Sequence, residues 1–116
     1  MSAELDGLRD ALRQFAADRD WDQFHSPKNL AMALSVESAE LLEIFQWLTE
    51  EESRNLSPEA RAAAAEEIAD VLLYLVRIAD KLGVDPVAAA QRKMIKNEQK
   101  YPADKARGNN KKYTEL

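Results

Sequence analysis

The chain has 116 residues and a formal net charge of -5, with 46% apolar residues, 32% charged residues, three glycines and four prolines. This balance is typical of one globular domain and excludes disordered, collagen-like and low-complexity chains. The absence of cysteine excludes disulfides, thiolate catalysis and cysteine-based zinc sites, and the single histidine excludes a metal site built from histidines alone within one chain.

Four helices are predicted in chain order. Ser57 is an N-cap before the third helix, Gly83 follows its last turn, and Asp85 is an N-cap before the fourth. Short connections and the lack of a strand pattern predict an all-α four-helix bundle. The predicted helices cover about residues 4–19, 30–48, 58–82 and 86–101.

The predicted helical domain is residues 1–102. Residues 103–116 lack apolar periodicity and are predicted to form an irregular basic tail, and residues 49–57 are predicted to be a polar connection. The long helices are apolar over wide arcs, so we expect them to complete their core by forming a homo-oligomer.

Charge is unevenly distributed along the chain. Residues 92–112 carry eight Lys or Arg against two Asp or Glu, so the rest of the chain is strongly acidic. An acidic body disfavours binding to nucleic acid, whereas one basic segment suits a small polyanion or is simply solvated. No apolar run is long enough to span a membrane and no signal-peptide pattern is present, so we expect a cytoplasmic protein.

The second helix carries a carboxylate within its apolar face. On a helical wheel Glu37 falls between Ile44 and Leu30, inside the apolar arc, and Glu40 lies at the edge of that arc. A buried carboxylate without a partner is costly, so it protonates, pairs with a cation or binds a metal. Glu37 therefore requires a partner.

The third helix offers a complementary pair, Glu67 and Asp70, one turn apart. If the two helices are neighbours, four carboxylates meet without His or Cys, which describes a site for Mg²⁺ or Mn²⁺. A di-iron site is not predicted, because the only histidine, His25, lies in a loop. The alternative is that these acids are solvated, or paired with Arg77 and Lys81.

These residues and their spacing resemble a known family. The sequence "ESAE" at 37–40, followed after 26 residues by "EIAD" at 67–70, is similar to the ExxE and ExxD signature of the MazG-like all-α nucleoside triphosphate pyrophosphohydrolases. Flanking blocks such as "RDWDQFHSPKNLAMAL" and "KMIKNEQKYP" resemble the small dCTP pyrophosphatase branch, over about residues 8–116. The resemblance implies Mg²⁺-dependent hydrolysis of a nucleoside triphosphate to the monophosphate and pyrophosphate, by a tetramer or dimer.

The resemblance also implies roles for single residues. The metal ligands and catalytic carboxylates would be Glu37, Glu40, Glu67 and Asp70, with Mn²⁺ as a substitute for Mg²⁺. Two tryptophans match positions that enclose a pyrimidine, and His25 either donates to the base or fixes its own loop. Without the family, the tryptophans and Tyr74 are read as packing residues and Lys93 as solvated. The substrate-binding residues implied are Trp21, His25, Trp47, Tyr74, Lys93 and Asn97.

One departure from the family concerns the base. Leu12 stands where close relatives carry a pocket histidine. The predicted function is hydrolysis of dCTP or a modified dCTP in nucleotide-pool sanitation. The alternatives are the same chemistry on dUTP or damaged purine nucleotides, or a non-catalytic helical oligomerisation module.

Overall fold

The computed structural model describes residues 2–116, which contain helices and turns but no strand. The prediction of an all-α chain with four main helices is confirmed. No helix in this described part is long and apolar enough to cross a membrane. The long helices are α1 (Ala3–Asp18), α2 (Pro27–Phe45), α4 (Pro58–Leu82) and α5 (Pro86–Lys100), and the short ones are α3 (Glu50–Arg54) and α6 (Ala103–Ala106).

Local sequence sets most helix boundaries. An N-cap side chain accepts a backbone N–H at the start of every helix except α6, which satisfies donors that the first turn leaves free. Gly83 ends α4 with φ 66°, in the left-handed region that glycine adopts at the least cost. The capping residues are Ser2, Ser26, Thr49, Ser57 and Asp85.

The bounds of α2 differ from the prediction at both ends. The helix begins three residues early, because Ser26 accepts the N–H of Asn29 at 3.1 Å and Pro27 occupies the first helical position. It also ends three residues early, at Phe45. The connection predicted to be a loop contains α3, because Thr49 and Glu52 form a reciprocal capping box.

The described chain forms two compact units, Ser2–Val84 and Asp85–Leu116. In the first unit α2 packs along α4, and α1 also packs against α4. The predicted boundary after Pro102 stays a prediction. The buried apolar side chains all lie on these three helices and are Ala16, Leu30, Ala64, Val76 and Ala79.

The second unit contains α5 and the C-terminal segment. This segment, predicted to be irregular, contains α6 and a 3-10 turn at Tyr113–Glu115. The Tyr113 ring packs edge to face against Tyr101, with 6.0 Å between centroids, and the Lys100 ammonium lies 4.8 Å from the Tyr113 centroid. Aromatic contacts therefore order a segment that has no apolar periodicity.

Candidate metal and nucleotide site

Helices α2 and α4 bring the two predicted acidic motifs together. Glu37 of α2, with Glu67 and Asp70 of α4, each offer one carboxylate oxygen, and these oxygens all lie within 4.8 Å of one another. Glu40 is outside this group of three, but its charge acts on Glu37 and Glu67. We call these four residues the carboxylate cluster. The structure groups three of the four predicted ligands within reach of one cation.

Two oxygens of the cluster are buried and unpaired. Among the described residues, neither Oε2 of Glu37 nor Oε2 of Glu67 has a hydrogen-bond partner. Buried polar atoms in folded proteins are nearly always paired, so these two atoms need an explanation. A divalent cation would satisfy both, and a donor set made only of carboxylates suits Mg²⁺ or Mn²⁺.

Crowded like charges favour protonation of the cluster. Burial, followed by the neighbouring carboxyl groups of Glu40, Asp70 and Glu67, raises the pKa of Glu37 to about 7. Burial also raises the pKa of Glu67, with the charge of Glu40 as the next cause. A bound cation acts in the opposite direction, because it favours the ionised carboxylates.

The alternative partners of these acids are engaged elsewhere. Arg77 Nη2 lies 2.7 Å from Oδ1 of Asp22, and the Lys81 ammonium binds the same oxygen. Arg77 Nη1 lies 3.5 Å from Asp80. Neither cation is therefore paired with the carboxylate cluster, contrary to the alternative drawn from the sequence.

A cavity of about 400 Å³ adjoins the cluster, since Asp70 belongs to both. Its walls come from α1, from the turn around residue 21 and from α4, and they are mainly apolar with few polar groups. This size and character are typical of small-molecule sites. Leu12, the residue at which the sequence departs from the family resemblance, lies in the wall and presents an apolar side chain.

Three of the six predicted substrate residues line the cavity, which lies in the first unit. Trp21, His25 and Tyr74 line the cavity. Trp47 does not belong to the lining; it follows the end of α2 and is 86% exposed. Lys93 and Asn97 lie one turn apart on α5, in the second compact unit.

Backbone geometry places Trp21. Asp20 adopts φ 54°, in the left-handed region, and reverses the chain after α1. The Trp21 N–H then donates to the carbonyl of Ala16 at 2.9 Å. The indole packs edge to face against Phe15, with 5.7 Å between centroids. A ring in the cavity wall is thus held by local contacts.

Sequence reasoning did not assign Arg77 to the cavity. It is 5% exposed, yet it lines the cavity wall and donates through Nε to Nδ1 of His25 at 3.1 Å. The signal that could have found it is its place in the apolar run "LLYLVRIA", where an arginine must have buried partners. Two of its partners, His25 and Asp22, lie more than fifty residues away in sequence.

An all-α fold with this paired acidic site defines the class of protein. The family model of the MazG-like family matches residues 32–116, which include both acidic motifs, and the chain belongs to this family. The resemblance drawn from the motifs is thereby confirmed.

Individual relatives are more specific. The chain is 48% identical to dCTP pyrophosphatase 1 of Homo sapiens and 46% identical to that of Bos taurus, each over 114 residues that make up 97% of this chain and 67% or 68% of the relative. Among solved structures, a pyrophosphatase from Archaeoglobus fulgidus DSM 4304 matches with a TM-score of 0.82 and 45% identity, over 88% of this chain and 95% of that chain.

Proposed function

We propose that this chain hydrolyses dCTP or a modified dCTP to the monophosphate and pyrophosphate, with Mg²⁺ as its cofactor. The broad class rests on relatives named dCTP pyrophosphatase 1, which are 46% to 48% identical over 97% of the chain. With this similarity, the chain is a nucleoside triphosphate pyrophosphohydrolase. The particular base, the metal and a role in cytoplasmic nucleotide-pool sanitation are the proposal.

The observation that carries the metal assignment is the pair of buried, unpartnered oxygens on Glu37 and Glu67. Together with Asp70 they would hold the cation through three carboxylates within 4.8 Å of one another. When bound, Mg²⁺ supplies charge neutralisation for the triphosphate and activation of the attacking water. Glu40, outside the group of three, either completes the ligand set or accepts the proton of that water.

The cavity supports binding of the nucleoside next to this metal site. Trp21 offers an aromatic ring, and Tyr74 lies one turn after Asp70 on α4, so its hydroxyl is a candidate contact for sugar or phosphate. Stacking on aromatic rings tolerates many bases, so discrimination must come from hydrogen bonds. Trp47, Lys93 and Asn97 remain proposed contacts for the base and the triphosphate.

Exposed apolar side chains support the proposed homo-oligomer, a tetramer or a dimer. On α2, Met32 is 55% exposed and Leu42 is 61% exposed, and on α4 Ile68 is 57% exposed. Clusters of exposed large apolar residues often mark protein interfaces. Size-exclusion chromatography with light scattering measures the assembly directly, and a monomer at micromolar concentration would contradict it.

The function is tested by pyrophosphate release from a panel of nucleotides. The panel contains dCTP, 5-modified dCTP, dUTP, the other natural triphosphates and oxidised purine triphosphates, each assayed with Mg²⁺, Mn²⁺ or EDTA. We expect metal-dependent release that is greatest with a cytosine nucleotide. If dUTP or a purine nucleotide led the ranking, it would replace dCTP as the proposed substrate. If well-folded protein released no pyrophosphate from any nucleotide, the non-catalytic helical oligomerisation module would be the remaining function.

A further inference from the structure

Arg77 is held in one orientation by three acceptors. Its Nε donates to Nδ1 of His25 at 3.1 Å, its Nη2 donates to Asp22 at 2.7 Å, and its Nη1 lies 3.5 Å from Asp80. A guanidinium is planar and only donates hydrogen bonds, so an acceptor at each nitrogen fixes the orientation of the whole group.

The two carboxylates around Arg77 are themselves held. Arg13 binds both oxygens of Asp80, at 2.8 and 2.5 Å, and thereby lowers the pKa of that carboxyl group. Lys81 binds Asp22 and lowers its pKa. We call Arg13, Asp22, His25, Arg77, Asp80 and Lys81 the Arg77 network. Its charges are mutually paired.

The network determines which nitrogen of His25 carries the proton. Because Arg77 cannot accept a hydrogen bond, Nδ1 must be unprotonated and the proton lies on Nε2. Burial lowers the pKa of His25, and the charges of Arg77 and Lys81 lower it further, while Asp22 opposes them. The ring is therefore neutral at pH 7. It lines the cavity, and among the described residues its Nε2 has no hydrogen-bond partner.

We propose that Arg77 is a positioning residue, which fixes His25 as a hydrogen-bond donor to the molecule in the cavity. The cavity would therefore prefer a base with an acceptor at that point, such as the O2 or N3 atom of cytosine. This inference rests on the proposed function, because a nucleotide is the occupant. It adds a residue in the cavity wall that acts on the substrate through another side chain.

The tautomer of His25 can be observed without any activity. The chain has one histidine, so tag-free protein labelled with ¹⁵N-histidine gives one imidazole in a long-range proton–nitrogen spectrum. We expect wild-type His25 to be neutral at pH 7 with its proton on Nε2. A proton on Nδ1, a mixture of both forms, or a charged ring would overturn the proposal.

Arg77→Met tests the cause of this tautomer. Methionine removes the donor, while Asp22 keeps Lys81 and Asp80 keeps Arg13. We expect His25 in this variant to populate both tautomers. Lys81→Met is the matched control: it removes the other cation on Asp22 but leaves the bond to Nδ1, so the wild-type tautomer should persist. An unchanged tautomer in folded Arg77→Met overturns the assignment.

Kinetics test the consequence for the substrate. Arg77→Met should raise KM for dCTP about three- to tenfold and leave kcat within about twofold, since one hydrogen bond used equally in ground and transition state is lost. In a His25→Ala background the same change should have no further effect on KM.

If Arg77→Met does not fold, His25→Ala alone decides, because a KM of His25→Ala equal to that of the wild type contradicts the proposal. Wild type without pyrophosphate release would instead defeat the proposed function, while the tautomer measurement would still stand.

Discussion

The carboxylate cluster and the Arg77 network both lie along α4, but their charges are satisfied in opposite ways. Glu67 of the cluster shares its surroundings with other carboxylates and has a buried oxygen without a partner. Arg77, nearly three turns further along α4, has an acceptor on each of its nitrogens. The same helix therefore carries one site completed by the chain and one that needs a ligand.

This difference separates structural from functional burial of charge. Arg77 needs no ligand, because carboxylates from α4 and from the turn after α1 balance its charge. In the carboxylate cluster no nearby cation is found among the described residues, and burial together with the like charges raises the pKa of Glu37 to about 7. We propose that a cation completes this cluster.

The largest effect is expected from removing the charge of Glu37. Glu37→Gln should lower the rate of pyrophosphate release by more than about 100-fold, because it removes a proposed metal ligand. Even the loss of a residue that only hydrogen-bonds to a metal ligand lowers metal affinity or activity by about 10- to 100-fold. Thermal melting should show an equal or higher Tm, since like-charge repulsion is relieved. Glu59→Gln, an exposed glutamate in the first turn of α4, is the control and should keep wild-type turnover. Wild-type rates in Glu37→Gln would remove the cluster from catalysis.

The second effect is stabilisation by metal. A cation that binds only the folded chain stabilises it by about 2.7 kcal/mol at one hundred times its Kd. We expect Mg²⁺ or Mn²⁺ to raise the Tm of the wild type measured in EDTA, but not that of Glu37→Gln. Equal shifts in both proteins would indicate metal binding away from the cluster.

The third effect is a pH dependence of the metal-free protein. The pKa of Glu37 is about 7 in the folded chain and ordinary when unfolded, so between these values only the folded chain holds the proton. The free energy of unfolding should therefore fall as pH rises from about 5 to 7. Denaturant melts in EDTA across this range measure the slope, and Glu37→Gln should make it shallower. A slope that is identical in the variant would contradict the raised pKa.

Sequence patterns were informative wherever the cause is local. Capping at Ser57 and Gly83 bounds α4 as predicted, and the spacing of the acids anticipated that Glu37 and Glu67 meet. The short helix α3 was missed because its capping box, Thr49 with Glu52, was read as part of a polar loop. The meeting of the acids was therefore anticipated, whereas the short helix between them in sequence was not.

Partners distant in sequence could not be predicted. Arg77 reaches Asp22 across 55 positions, and no local pattern records that pairing. Trp47 is 86% exposed and outside the cavity lining, and its contact with the base stays a prediction. Tertiary packing, which a single sequence does not display, decides such positions.

The smallest effect is expected at the edge of the Arg77 network. Lys81→Met removes one of two cations on Asp22, and that carboxylate side chain is 63% exposed. Because exposed ion pairs contribute little, the Tm should change by less than about 4 °C, with turnover unchanged. A larger fall in Tm would show that the Arg77 network depends on Lys81, although Asp22 also contacts Arg77.

The central claim is that the carboxylate cluster holds the catalytic cation. A titration of Mn²⁺ followed by electron paramagnetic resonance tests it most directly, on wild type and Glu37→Gln, with and without an α,β-imido analogue of dCTP. The account predicts Mn²⁺ bound to the wild type, tighter with the analogue, displaced by Mg²⁺ and greatly weakened in Glu37→Gln. Equal Mn²⁺ binding by the two proteins would contradict it.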